Sequence, residues 1–135
     1  MTGFMARIVL ALAPLAVIAP AAAAEDRAAQ REAELSRILE GRVAGERVDC
    51  IRDRSTDPVE VIEGTAIVFR RGGTIYVNRP EGARLLDDWD LPVFHKHAGS
   101  RLCQFDRVEL RDRASQISGP SLFLAQFIPY TRPAS

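Results

Sequence analysis

The apolar positions of this chain change period once, near Gly45. Before that point Leu35, Ile38 and Leu39 recur at i, i+3 and i+4, with Ala28 on the same side, which predicts a helix over about residues 26–40. Asp26 is placed to cap it and Gly41 to stop it. The stripe is thin, so the helix is expected to rest on a sheet by its C-terminal half rather than form a buried core element. After Gly45 the runs become short and β-branched, broken by turn residues, the pattern of antiparallel strands. Residues 48–51 and Val59–Ile62 are the first two, the second following the Asp57-Pro58 turn. A hairpin is the clearest feature: residues 65–71 and Thr74–Asn78 flank Gly72-Gly73, and glycine supplies the positive φ a two-residue turn needs. That register sets Phe69 opposite Tyr76 and Val68 opposite Val77, one apolar pair on each face, so both faces are expected to be covered.

Downstream the pattern is less regular. Leu85, Leu86, Trp89, Leu91, Val93 and Phe94 follow neither period, which predicts a loop leading into a strand near residues 91–97. Residues 102–111 read as a strand whose parity slips between Phe105 and Val108, and a bulge near Asp106-Arg107 accounts for the slip. Residues 122–128 are apolar at both parities between Pro120 and Pro129, as in one strand buried on both faces. The expected class is α+β, mainly β, with an N-terminal helix packed on a small antiparallel sheet or partly open barrel.

The first 24 residues stand apart from this pattern. Arg7 is followed by an apolar run from Ile8 to Ala19, and Ala22 and Ala24 occupy the minus-three and minus-one positions of an A-x-A site. Residues 1–24 are therefore expected to be a signal peptide cleaved before Glu25, and the protein to be periplasmic or secreted, with no membrane span after cleavage. Removing 24 of the 135 residues leaves 111, one small domain over residues 25–135. Only Arg7 is lost among the charges, so 18 basic and 18 acidic residues become 17 and 18, a net charge of −1 with both histidines neutral. No field of one sign draws this chain to nucleic acid. Of the 18 basic residues in the full sequence, 17 are arginine and only Lys96 is lysine; the arginines are scattered among acids along the sequence, as on a solvated mixed-charge surface. The two cysteines, Cys50 and Cys103, are expected to form a disulfide in an oxidising compartment; neither belongs to a C-x-x-C.

Four short motifs occur in order: Cys50-Ile51, Tyr76-Val77-Asn78, Cys103-Gln104-Phe105-Asp106 and Phe127-Ile128-Pro129-Tyr130. In this the chain resembles small exported proteins of Gram-negative bacteria that carry a domain of unknown function. Some members have a further cysteine pair, one after the Asn and one before the closing Phe, which this sequence lacks. The resemblance implies compartment and fold and brings no reaction, ligand or catalytic residue with it.

His95-Lys96-His97 is the strongest candidate for chemistry. On a strand residues i and i+2 face one side, so both imidazoles are spaced to share a Zn or Cu ion, with Asp87, Asp88 or Asp90 as further ligands; two histidines on a solvated strand edge are the commoner case. Ser100 lies near both histidines without a nucleophile-elbow setting, and no G-x-S-x-G or phosphate-binding glycine loop occurs. The expected function is a non-catalytic binding or structural module of the cell envelope, whose partner is an envelope protein or small ligand. Trp89 and Phe94 would supply an aromatic anchor, Trp89 being equally suited to plug the core. The alternative is a small metal-binding periplasmic protein using His95 and His97.

Overall fold

The computed structural model describes residues 20–135; residues 1–19, most of the expected signal peptide, lie outside them. In chain order the elements are helix α1 (Pro20–Ile38) and strands β1 (Val43–Ala44), β2 (Cys50–Arg52), β3 (Val59–Ile62), β4 (Ala66–Arg71) and β5 (Thr74–Asn78). A short 3-10 turn (Ala83–Leu85) precedes β6 (Leu91–His95), β7 (Arg101–Cys103), β8 (Arg107–Arg111), β9 (Ser118–Phe123) and β10 (Phe127–Thr131). The class is α+β and mainly β, with open antiparallel sheets rather than a closed barrel.

The hairpin organises everything else. Phe69 pairs with Tyr76 and Val68 with Val77, as the Gly72-Gly73 turn dictates, and Gly72 takes the left-handed φ of 59° that only glycine adopts freely. Around it runs a five-stranded antiparallel sheet in the order β1-β10-β5-β4-β3. Because adjacent residues alternate faces, Ala66, Val68, Ile75 and Val77 form one apolar surface, closed by Leu35 with Ile38 and Leu39 of the helix end. Residues 20–30 of α1 are exposed, so the helix docks by its C-terminal half only. It also starts earlier than expected, at Pro20, since an alanine run propagates helix readily.

Ile67 and Phe69 face the other way, into the main core. There they meet Ile51, Leu86, Leu102, Val108, Leu110, Leu122, Leu124 and Phe127. The Phe69 ring sits 5.6 Å from Phe94 and 5.5 Å edge-on from Phe127, within the range of favourable aromatic pairs. This core is roofed by two smaller sheets, the β2-β7 ribbon and the β6-β8-β9 sheet.

Two sequence expectations give way to this third layer. Residues 102–111 are not one bulged strand: Phe105 takes a left-handed φ of 70°, and the chain leaves the ribbon at Cys103 to enter a different sheet at Arg107. Buried Asp106 holds the crossing, accepting from the Cys103 amide at 2.8 Å and the His97 amide at 3.3 Å. Residues 122–128 are likewise two strands, and Phe123 is exposed. Leu122, Leu124 and Phe127 all point into the core, which is why the run is apolar at both parities. Between β9 and β10, fully buried Asn78 imitates a strand neighbour: its Nδ2 donates to the Ala125 carbonyl at 2.7 Å and its Oδ1 accepts from the Ala125 amide at 3.0 Å. Pro129, expected to end the segment, sits inside β10 opposite Tyr76, and its carbonyl accepts from the Gly45 amide.

Candidate functional site

Cys50 and Cys103 are joined in a disulfide and are direct partners in the β2-β7 ribbon. Alternation then fixes both sides of the ribbon. Ile51 and Leu102 pair toward the core, while the disulfide and the next outward pair, Arg52 opposite Arg101, face away from it. An open cleft of about 930 Å³ lies against this outer side, lined by the ribbon, Asp53, Arg54, Asp57, Arg71, Tyr76 and Ser100 among others.

Its charges divide into two groups. Arg71 is consumed by structure: its side chain is only 9% exposed, donating to the carbonyls of Arg52 at 3.0 Å and Arg70 at 3.1 Å. It lies 3.5 Å from a carboxylate oxygen of each of Asp53 and Asp57, and its guanidinium is stacked 5.5 Å from the Phe69 ring centre. The other Asp53 oxygen takes Lys96 Nζ at 2.7 Å. Two cations thus meet two carboxylates. Arg52, Arg54 and Arg101 are exposed, and among the described residues their guanidiniums have no protein acceptor. Three positive charges at the cleft are left without a counter-charge.

A second polar cluster covers the outer face of β6-β8-β9. Glu109, 8% exposed, accepts from Ser118 Oγ at 2.7 Å, from Arg111 at 2.7 Å and 3.2 Å, and meets His95 Nε2 at 3.2 Å. The Ser118 hydroxyl and the Arg111 guanidinium, helped by His95, hold its carboxyl down at about 2 against the opposing effect of burial. Ser118 and His95 both contact Glu109, one on each oxygen, so no hydroxyl is bonded to an imidazole as nucleophile activation requires. The cluster makes acid stability measurable. The Glu109 contribution is complete above its ordinary value near 4.5 and is lost as pH falls toward about 2. Glu109→Gln is therefore expected to be less stable than wild type at neutral pH and to show a flatter decline between those limits, the two curves converging at the acid end in thermal melts.

His95 and His97 are not brought to one point. Strand β6 ends at His95, whose imidazole goes to Glu109, whereas His97 lies beyond it with Nδ1 at 2.8 Å from Asp106 Oδ1. The Asp90 carboxyl is raised by burial and by the charges of Asp87 and Asp112. Among the described residues no three His, Cys, Asp or Glu side chains converge as a metal site. Trp89 and Phe94 are also separated: Trp89 is 56% exposed, and Phe94 packs on Phe69 in the core. The cleft's arginines are spread over about fifty residues of sequence, so no local pattern marks them as neighbours. The signal for it was nonetheless there: if Cys50 and Cys103 pair across an antiparallel ribbon, Arg52 and Arg101 must face each other.

Comparison with protein-family models, with curated proteins and with solved structures finds no match to this chain. The fold and site are thus read on their own terms: a three-layer, mainly β domain with a disulfide-backed cationic cleft.

Proposed function

We propose that this protein is an exported, non-catalytic binding module of the cell envelope that takes its ligand in the cleft beside the Cys50–Cys103 disulfide. The observation that carries this reading is the cleft's composition: a volume in the range of small-molecule sites, rimmed by three arginines whose guanidiniums, among the described residues, have no protein acceptor. Each imidazole has its own carboxylate, so the geometry favours the cleft over a shared metal at His95 and His97.

Export is supported by the disulfide and by the exposure of residues 20–30, since residues 20–24, the described part of what cleavage before Glu25 would remove, contribute nothing to the core. Among the described residues, no helix is long and apolar enough to cross a membrane. Native mass spectrometry of protein recovered from the host periplasm, without reductant or chelator, tests the reading. Wild type should run as Glu25–Ser135 carrying a non-covalent small-molecule adduct. Ser100→Trp, which fills the cleft from an exposed position, should lack the adduct; equal adduct on both, or none on wild type, contradicts a cleft-binding role.

A further inference from the structure

We infer that the cleft recognises a phosphomonoester, with Arg52 and Arg101 gripping the phosphate and Arg54 beside them; this rests on the cleft-binding reading above and names its ligand. The first observation is register. Arg52 and Arg101 are direct cross-strand partners in a ribbon of only three residue pairs. Side chains at such positions stand about 4.5–5.5 Å apart at Cβ, where like charges repel. The disulfide two residue pairs along holds the ribbon in that register, so the Cβ atoms of Arg52 and Arg101 stay opposite each other. A repulsive pair pinned in place is what an anion between them would turn into an attractive one.

The second observation is the charge count. Asp53 and Asp57 are the carboxylates in the cleft lining. They are already engaged by Arg71 and Lys96, so neither is free to neutralise Arg52, Arg54 or Arg101. Arg54 shares the parity of Arg52 and lines the same cleft, which places three guanidiniums around one opening. A single carboxylate would balance one of them. A phosphomonoester carries a charge of roughly −1.5 to −2 at neutral pH and three acceptor oxygens, and guanidinium forks match those oxygens two at a time.

Size and lining carry the last step. The cleft is far larger than a bare phosphate ion, and Cys50, Gly72 and Tyr76 line it as non-ionic residues beside the arginines. That arrangement suits an organic group attached to the phosphate. The same chemistry is presented by a free metabolite and by the headgroup of an acidic lipid, and the two sources are separable by experiment.

Isothermal titration of the mature, disulfide-bonded protein is made with sn-glycerol 3-phosphate, with glycerol, and with phosphatidylcholine vesicles containing or lacking phosphatidic acid. Binding to glycerol 3-phosphate but not glycerol, weakened about tenfold or more in Arg52→Gln and Arg101→Gln and by added salt, supports the inference with a soluble ligand. Binding only to vesicles that contain phosphatidic acid, with the same loss in both variants, supports it with a lipid headgroup. Arg52→Lys should retain part of the affinity, which a purely structural role would not require. Binding to neither probe, or binding unchanged in both glutamine variants, overturns it. If the probes fail while the periplasmic adduct is present on wild type and lost in Ser100→Trp, the ligand class is wrong and the cleft reading stands; if the adduct fails as well, both fall.

Discussion

Replacing Cys50 and Cys103 together by serine is expected to destabilise the domain by about 4 kcal/mol, on the chain-entropy estimate for a bridge of this span. The bridge links residues 53 apart in sequence, so it removes a large share of the freedom of the unfolded chain. It also has a local task. The β2-β7 ribbon has three residue pairs, too few to hold register alone, and its outer pair is a repelling one. The same variant should therefore lose the cleft's affinity for its ligand even under conditions where far-UV circular dichroism shows it still folded. Denaturant melts with and without reductant, read beside a binding titration, check both parts. A loss of stability below about 1 kcal/mol would mean the ribbon is held by its core contacts instead.

Phe69→Ala is expected to cost about 3–5 kcal/mol and to lower the melting midpoint by about 10 °C or more. Phe69 is fully buried on β4 of the five-stranded sheet. Its ring touches the Phe94 and Phe127 rings from two different strands and underlies the Arg71 guanidinium. Truncation leaves a hole between the five-stranded sheet and the smaller sheets that roof it, which neither can close by a small shift. Because Arg71 organises Asp53 and Asp57 at the cleft, the loss should spread to the site. Phe69→Leu, which keeps most of the volume, should recover most of the stability. A cost for Phe69→Ala no larger than that of an exposed substitution would contradict this placement of the core.

The central hairpin was legible because two independent signals agree there: glycines that allow the turn, and apolar residues at both parities that require cover on both faces. The helix end was legible through Leu35, Ile38 and Leu39, which close one of those faces. What covers the other face was not. Residues 102–111 and 122–128 each read as one strand because their apolar residues enter a common core from two different sheets, and periodicity records burial without recording which sheet supplies it. The residues that break those runs are polar and singular. Asp106 and Asn78 bond backbone amides and carbonyls at the crossings and hold the fold there, neither of them lining the cleft.

The candidate site was half legible. The disulfide was plain from two cysteines in a chain expected to be exported, whereas in His95-Lys96-His97 the residue that reaches the cleft is Lys96, which helps neutralise Asp53. The cleft depends on a long-range register, Arg52 against Arg101, and emerges only when the disulfide is read as a strand pairing.

That register is open to one direct measurement: thermal unfolding of wild type and Arg101→Gln over a series of phosphate concentrations at constant ionic strength. Without phosphate the variant should melt higher, because the repulsion opposite Arg52 is gone. As phosphate rises the wild-type midpoint should climb, as binding to the native state requires, and overtake a variant that stays flat. A wild type that is the more stable protein without phosphate, with two parallel curves thereafter, would contradict the account.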